Sequence, residues 1–259
     1  MKFREAATYP EARHEAQGRV ELVSDTSPAR WLEESLWSWP NDGVQVGSIV
    51  PEGFPAYVRI LHPAEKRDAG APELVRWSTV ARWNNKTVHP EMQFDRIANL
   101  PGPWGIPKWG SRPAEGTIPF HEADRLARYL GRFTSAPGRC WFAVWDGFGY
   151  LDPNRYGAIP RITLPNRNYI LYQAPVDAIA SFYWDFYGQG SLQTSIWQSP
   201  NLWWPDDRAW CVGTDIDLVD TYVAGSEAAV DAIVSDPGFE AFRTRPTARV
   251  DINGDTINK

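Results

Sequence analysis

The stretch that decides the fold lies at residues 140–149 and reads CWFAVWDGFG. Alternate side chains of a β-strand point to opposite faces of its sheet. Both faces are apolar here, with Cys140, Phe142 and Val144 on one side and Trp141, Ala143 and Trp145 on the other. A strand that is apolar on both faces is typical of the interior of a covered sheet. The pair Asp146-Gly147 that follows predicts a turn.

Three further runs predict strands: FPAYVRILHP from Phe54, RNYILYQA from Arg167 and RAWCVGTDIDL from Arg208. Apolar residues at helical spacing, with proline or serine at the start, predict six helices between or beside them. These helices are Ser27–Trp39, Pro72–Trp83, a short one opened by Pro90, Phe120–Phe133, one opened by Pro175, and Ser226–Ser235. The pattern predicts an α+β fold with a mixed, mostly antiparallel sheet and helices packed on it.

A chain of 259 residues can form one domain. Residues 1–26 are charged and without periodic pattern, which predicts a flexible N-terminal arm. Residues 27–243 are expected to form a single α+β domain, and residues 244–259 a polar C-terminal tail. The segment Leu100–Pro113 has four prolines and three glycines and predicts a long loop that could act as a lid.

Composition excludes several classes of protein. The formal net charge is −6, so the chain offers no broad positive field for nucleic acid. It has no apolar run long enough to cross a membrane and no secretory leader pattern at its start, which predicts a cytoplasmic protein. Cys140 and Cys211 are the two cysteines, and in a reducing compartment we expect free thiols rather than a disulfide.

Catalytic and cofactor motifs are absent from the sequence. It contains no H-E-x-x-H metal motif, no phosphate-binding P-loop and no nucleophile elbow, so we expect neither a metal nor a cofactor. Histidine is the usual general base near neutral pH, and His62 and His89 each precede a proline at the end of an element. Together with Asp215 and Asp217 they define one alternative, an enzyme or small-ligand cleft.

Asp215 and Asp217 have two interpretations. If residues 210–218 form a strand, both carboxylates point to one face near its end, where they could bind a cation or act as an acid/base pair. Alternatively the strand ends in solvent and the aspartates stabilise a turn. The sequence favours the turn, because no third ligand is fixed by spacing.

The leading candidate surface is the segment 201–208, which reads NLWWPDDR. Adjacent residues of an extended chain face opposite ways, so at most one of Trp203 and Trp204 is expected in the core. The other indole either covers a loop or is exposed beside Asp206, Asp207 and Arg208. Exposed tryptophan with charged neighbours is typical of protein-binding hot spots and of sugar-stacking platforms.

Three motifs together resemble a family of uncharacterised proteins of actinobacterial genomes. They read CWFAVWDGFG, LPNRNYILYQAPVDA and SPNLWWPDDRAWCVGTDID, and the similarity covers roughly residues 49–256. The Trp/Gly pattern around WDGFG is also similar to immunity and interaction domains of the SMI1/KNR4 type. These resemblances imply a bacterial cytosolic protein and attach no activity to it. The 14 tryptophans, the acidic balance and the missing catalytic motifs instead predict a non-enzymatic module that binds a protein or peptide partner, and the oligomeric state stays open.

Overall fold

The computed structural model describes residues 19–40, 43–66, 73–100, 105–107, 110–148, 151, 156–183 and 198–259. No helix within these ranges is both long and apolar enough to cross a bilayer. The strands are β1 (Glu21–Val23), β2 (Ala56–Leu61), β3 (Ala64–Lys66), β4 (Glu73–Val75), β5 (Gly110–Ser111), β6 (Cys140–Trp145), β7 (Ile162–Thr163), β8 (Asn168–Ala174), β9 (Leu202–Pro205), β10 (Cys211–Gly213), β11 (Asp220–Gly225) and β12 (Ala241–Thr244).

Helices connect and cover these strands. The α-helices are α1 (Arg30–Ser35), α2 (Trp77–Trp83), α3 (Phe94–Ile97), α4 (Phe120–Leu130) and α5 (Glu227–Val234). Short 3₁₀ helices occupy Ser27–Ala29, Val46–Ser48, Gly131–Phe133, Val176–Tyr183 and Ile252–Gly254. The Ser226 side chain caps α5 by accepting a hydrogen bond from the backbone N–H of Ala229, as a serine before an apolar helix predicts.

Nine of the described strands form one antiparallel sheet in the order β1, β8, β6, β9, β10, β11, β2, β12, with β7 also paired to β8. The stretch Cys140–Trp145 lies inside it as β6, between β8 and β9. Phe142 faces one core cluster and Trp141 faces another, so both faces of β6 are buried. This confirms the predicted α+β fold and the interior strand, and every described pairing in the sheet is antiparallel.

Each face of the large sheet has its own cover. On one face, α4, α5 and the 3₁₀ helix Val176–Tyr183 enclose a core centred on Phe142, Trp203 and Trp210. On the other face, α1 covers the half around Trp141 and Trp204. Residues 46–50 and the segment around Val250 cover the half formed by β2 and β11. Cys140 and Cys211 are buried free thiols within these layers.

A smaller sheet lies beside the large one. Its strands follow the order β4, β3, β5, and α2 and α3 pack next to it around Trp77 and Phe94. The indole of Trp77 is fully buried and stacks at a tilt on Phe94, with ring centroids 5.3 Å apart. The indole N–H donates to the carbonyl oxygen of His62 at 2.7 Å, which ties this unit to the end of β2.

Several predicted boundaries are wrong. Residues 73–75 of the predicted Pro72–Trp83 helix form β4, and the helix begins at Trp77 because the Glu240 carboxylate accepts its first free N–H groups. The predicted Ser27–Trp39 helix ends at Ser35, and the Pro90 helix is reduced to the single turn Phe94–Ile97. The helix predicted after Pro175 is a 3₁₀ helix. Residues 101–104 and 108–109 of the predicted loop lie outside the described residues.

The two predicted terminal segments contain ordered parts. Residues 1–18 of the predicted arm lie outside the described residues, but Glu21–Val23 pairs with β8 as an edge strand. The predicted polar tail folds against the domain: Val250, Asp255 and Asn258 are all buried. Asp255 accepts hydrogen bonds from the backbone of Gln93 and from Asn258, so tertiary contacts hold a segment whose polarity suggested a free end.

Candidate functional site

A cavity of about 300 Å³ lies beside the start of β11, where several loops meet. We call it the acidic cavity, because its wall carries six carboxylates: Asp95, Glu115, Asp215, Asp217, Asp220 and Asp251. Among the described residues, Arg112 is the one cation that lines the cavity, and no lysine or histidine does. Apolar side chains form much of the remaining wall, among them Trp39, Phe94 and Val250.

Five parts of the fold bring these side chains together. Asp220 is the first residue of β11, opposite Leu61 at the end of β2. The loop 214–219 leads from β10 into β11 and supplies Asp215 and Asp217. The start of α3, the segment after β5 and the C-terminal segment around Val250 complete the wall.

A buried ion pair forms part of this wall. The Arg59 side chain is 3% and the Asp220 side chain 2% exposed. Arg59 Nε donates to Asp220 Oδ2 at 2.7 Å, and its Nη1 donates to the carbonyl oxygens of Pro90 and Met92. The second carboxylate oxygen, Asp220 Oδ1, accepts no hydrogen bond of normal geometry from the described residues. The Tyr222 phenol also interacts with this carboxylate, so the ion pair is an internal, buried part of the wall.

Gln93 is the second buried polar residue of the wall with an unused group. The residue is 7% exposed, and its side-chain Nε2 has no hydrogen-bond partner in the described part of the chain. Its backbone N–H is satisfied by Asp255, which fixes the start of α3. Leaving a buried polar group unpaired costs about 1–3 kcal/mol, so Gln93 lowers the stability of this region.

The chain's own arginines neutralise most of the other carboxylates. Arg112 Nη1 lies 2.5 Å from Asp95 Oδ1. Arg167 donates to Asp215 at 2.9 Å and to Asp217 at 2.7 Å, so one guanidinium serves two carboxylates. A further pair joins Arg249 to Asp251 at 2.8 Å.

Glu115 adds to the excess of negative charge, since it forms no ion pair with the described residues within 4.0 Å. Partial burial raises the pKa of the Glu115 carboxyl above its ordinary value. Arg112 opposes this shift, while the charges of Asp217 and Asp95 raise the pKa further. A positive charge placed beside Glu115 would relieve this repulsion.

Among the described residues, the wall has two aromatic rings, Phe94 and Trp39, and each already contacts a guanidinium. The Arg112 guanidinium lies 5.7 Å from the centroid of Phe94, and that of Arg167 lies 4.7 Å from the centroid of Trp39. Trp39 is 37% exposed, so part of its indole faces solvent. Twice around the cavity, therefore, a guanidinium lies against an aromatic ring and pairs with a carboxylate: Arg112 with Phe94 and Asp95, and Arg167 with Trp39 and Asp215.

His62 does not line the acidic cavity. Its ring is buried between Ala114 O, 2.7 Å from Nδ1, and Thr221 Oγ1, 2.8 Å from Nε2. A carbonyl oxygen can only accept, so Nδ1 carries the proton and Nε2 accepts from the hydroxyl. Burial lowers the pKa of the His62 imidazole to about 4. His62 is therefore a neutral side chain whose hydrogen bond to Ala114 fixes the segment preceding Glu115.

His89 also lies outside the cavity lining. Its Nε2 is 3.0 Å from Asp255 Oδ1, and Asn258 Nδ2 lies 3.2 Å from the same nitrogen. These contacts attach the C-terminal segment to residues 87–93. The predicted cleft of two histidines and two aspartates is therefore only half assembled: Asp215 and Asp217 line the acidic cavity, whereas the two histidines do not.

The turn interpretation of Asp215 and Asp217 is correct. Strand β10 ends at Gly213, so the strand predicted over residues 210–218 is wrong for its second half. Asp215 Oδ1 accepts a hydrogen bond from the backbone N–H of Asp217 at 3.0 Å, and both carboxylates bind Arg167. The turn and the arginine together keep the two carboxylates at the cavity wall.

Trp203 and Trp204 are both fully buried, so the expectation that at most one of them lies in the core is wrong. They belong to β9, which lies inside the sheet and is covered on both faces. Trp203 packs on Phe142 and Trp210, and Trp204 packs on Trp31 from the opposite side. The opposite orientation of adjacent side chains was predicted correctly, but here a core lies on each side.

Asp206, Asp207 and Arg208 form the turn that follows β9, and each has a contact within the chain. Asp206 accepts a hydrogen bond from the indole N–H of Trp141, and Asp207 accepts from Ser135. Arg208 has a φ of 54° and places its guanidinium 5.4 Å from the Trp31 ring. Binding of a partner by these three residues stays a prediction, without the exposed indole it assumed.

Gln93, Arg112, Glu115 and Asp220 were not predicted as site residues. The only sequence signal was Arg59 within an apolar strand run, because a charge in such a run needs a buried partner. The described residues contain no group of three or more His, Cys, Asp or Glu arranged to hold a metal ion. Comparisons with known protein families, curated proteins and solved structures returned no match.

Proposed function

We propose that this protein is a binding protein, and that the acidic cavity takes a positively charged group of a protein or peptide partner. The observation that carries this proposal is Glu115, an exposed carboxylate of the wall that forms no ion pair with the described residues. The excess of carboxylates over guanidiniums selects the sign of the ligand charge. A ligand cation would reduce the repulsion at Glu115.

The energy of charged hydrogen bonds and the small volume of the cavity favour recognition of a ligand by its charge over recognition by its shape. A hydrogen bond between charged partners is worth about 1.5–3 kcal/mol, roughly twice a neutral one. A cavity of about 300 Å³ is at the lower end of the range for ligand sites, so it suits one side chain or one small molecule. The partner surface beyond that group would contact the rim of the cavity.

The first test compares three probes of equal length that differ only in charge: butylammonium, butanol and butyrate. Isothermal titration in low-salt buffer at pH 7 should detect butylammonium binding that weakens as salt is added. Butanol and butyrate should bind at least tenfold more weakly, a difference of about 1.4 kcal/mol. Equal binding of the alcohol and the amine, or failure of the amine to bind, would contradict the proposal.

Two matched variants locate the binding. Asp217→Asn removes a carboxylate of the wall whose side chain is 70% exposed, so the fold should persist. Asp231→Asn makes the same change on α5 at a side chain that is 63% exposed and paired with Arg243. We expect the first variant to weaken binding about two- to fivefold and the second to leave it unchanged. Equal effects of the two would contradict binding in the cavity.

The proposal includes a cytoplasmic location, since two buried free thiols suit a reducing compartment. The resemblance to immunity and interaction domains supports the same class of function and stays a prediction.

A further inference from the structure

We propose that Glu122 and Glu240 form a pH-sensitive switch, in which ionisation of Glu122 at alkaline pH releases the carboxylate cap that Glu240 provides for α2. This cap attaches the smaller sheet and its helices to the large sheet, so its release would loosen the contact between the two. The inference is independent of the acidic cavity and of the ligand proposed for it.

The switch is located at residues 236–240, which connect α5 to β12 and which we call the joint. On one side the joint packs against α4. Arg125 Nη1 lies 3.0 Å from the Asp236 carboxylate, and the rings of Tyr129 and Phe239 meet edge to face with centroids 6.3 Å apart. An ion pair and an aromatic contact therefore fix the joint on the helix that covers the main core.

On its other side the joint meets the start of α2. The Glu240 carboxylate accepts hydrogen bonds from the backbone N–H groups of Trp77 at 2.5 Å and Ser78 at 2.7 Å. Arg76, directly before the helix, donates to the carbonyl oxygen of Pro237. The first N–H groups of a helix have no partner within the helix and carry partial positive charge, so a carboxylate stabilises them. The charge of Glu240 thus holds α2 on the joint.

Glu122 faces the joint from α4. It lies one turn before Arg125, so the two side chains share the helix face that meets the joint. Glu122 is 4% exposed, and its Oε2 has no hydrogen-bond partner among the described residues. Burial raises the pKa of this carboxyl to about 8, and the charge of Glu240 adds to the shift. Because the interaction of two charges is mutual, an ionised Glu122 repels the Glu240 carboxylate in turn.

The other ionisable groups around Glu122 leave this repulsion in place. Arg76 opposes it, but its side chain is exposed, so water and salt weaken its effect. Tyr183, from the 3₁₀ helix that packs on α4, stays neutral because burial raises its pKa well above the ordinary value. The acidic side chains of α5 lie at the surface and pair with Arg243: Glu227 and Asp231.

Burial decides which of the two carboxylates moves. Below about pH 8 Glu122 is neutral in the folded chain, and Glu240 caps α2 undisturbed. Above that pH two like charges face each other and destabilise each other. Glu240 is only half-buried and can turn toward solvent, whereas Glu122 is enclosed. The hydrogen bonds to Trp77 and Ser78 are therefore the contacts that break.

The experiment follows NMR signals of the full chain between pH 6 and 9.5. The side-chain carboxyl carbon of Glu122 reports its ionisation, and the backbone amides of Trp77 and Ser78 report the cap. We expect the carbon to titrate with a midpoint near pH 8, and both amides to shift with the same midpoint as they lose their acceptor. The amides of β8, far from β12 in the strand order, should not shift with it.

Three variants sharpen the test. In Glu122→Gln, which keeps the side-chain shape and removes the ionisation, the amides of Trp77 and Ser78 should not shift. Glu227→Gln, at an exposed side chain of α5, should behave as the wild type. Glu240→Gln removes the repelling charge, so the midpoint of Glu122 should move to lower pH. This last comparison tests the coupling even if Glu122→Gln does not fold.

Four results would overturn the inference. The first is a Glu122 carbon that does not titrate between pH 6 and 9.5, and the second is a titrating Glu122 with stationary amides at Trp77 and Ser78. The third is an amide shift that persists in Glu122→Gln, and the fourth is a Glu122 midpoint that is unchanged in Glu240→Gln.

Discussion

Glu122 gives the sharpest prediction about stability. It lies in α4, is 4% exposed, and its Oε2 has no hydrogen-bond partner in the described residues. Burial raises the pKa of this carboxyl from 4.5 to about 8; the charge of Glu240 adds to the shift and Arg76 opposes it. The folded chain therefore keeps a proton that the unfolded chain releases above about pH 4.5.

The sign and size of the effect follow from this difference. Where the unfolded chain binds fewer protons, stability falls as the pH rises, by about 1.4 kcal/mol per pH unit. Between pH 4.5 and 8 the loss attributable to Glu122 approaches about 5 kcal/mol, and at pH 7 it is about 3 kcal/mol. Glu122→Gln keeps the shape of the side chain and removes the ionisation. The variant should match the wild type near pH 4.5 and become progressively more stable above it.

The assay is urea unfolding followed by circular dichroism at pH 5, 6, 7 and 8. The quantity measured is the free energy of unfolding of the variant minus that of the wild type, in which the other groups cancel. Glu227→Gln is the matched control, because that side chain is 61% exposed and paired with Arg243. A difference for Glu122→Gln that stays flat between pH 5 and 8 would refute a protonated, buried Glu122.

Three further predictions concern stability. Burial lowers the pKa of His62 from 6.5 to about 4. As the pH falls from 6.5 to 4, the wild type should therefore lose stability relative to His62→Gln by about 1.4 kcal/mol per pH unit. A difference in unfolding free energy between the two proteins that does not change with pH would contradict this. Trp203→Ala should lower the free energy of unfolding in urea by about 3–5 kcal/mol, because Trp203 is fully buried, whereas Trp39→Ala should lower it by less than about 1 kcal/mol. Equal losses would contradict the burial of Trp203 and the exposure of Trp39. Gly116 has a φ of +72°, and a Cβ added there would lie 2.7 Å from the carbonyl oxygen of Ile216. Gly53 also has a positive φ, +94°, but the space around it is open. Gly116→Ala should therefore lower the thermal midpoint more than Gly53→Ala.

The candidate site was predictable only in part. Asp215 and Asp217 could be selected because two aspartates beside a strand suggest a shared face or a turn. Gln93, Glu115 and Asp220 gave no comparable signal. They come from three separate regions of the chain, and their role depends on which side chains the fold brings to one cavity. That property does not follow from residue type or spacing.

The burial of Trp203 and Trp204, in the predicted partner surface, also could not be read from the sequence alone. The sequence required Trp203 and Trp204 to point in opposite directions, and they do. Whether a second core lies beyond the sheet depends on how α1 packs, and that packing buries both indoles. Neither indole is available as an exposed hot spot, because β9 lies inside the sheet, a position that its local sequence pattern does not reveal.

The sequence by itself determined the α+β class and its interior strands, because alternation in Cys140–Trp145 and helical spacing in Phe120–Leu130 are strong local patterns that the tertiary contacts reinforce. Tertiary structure alone decided where strands such as β10 end, that the polar C-terminal segment is buried, and that carboxylates distant in the chain surround one cavity. The physical reason is that pairing of charges and burial of polar atoms depend on partners brought close only by the folded chain.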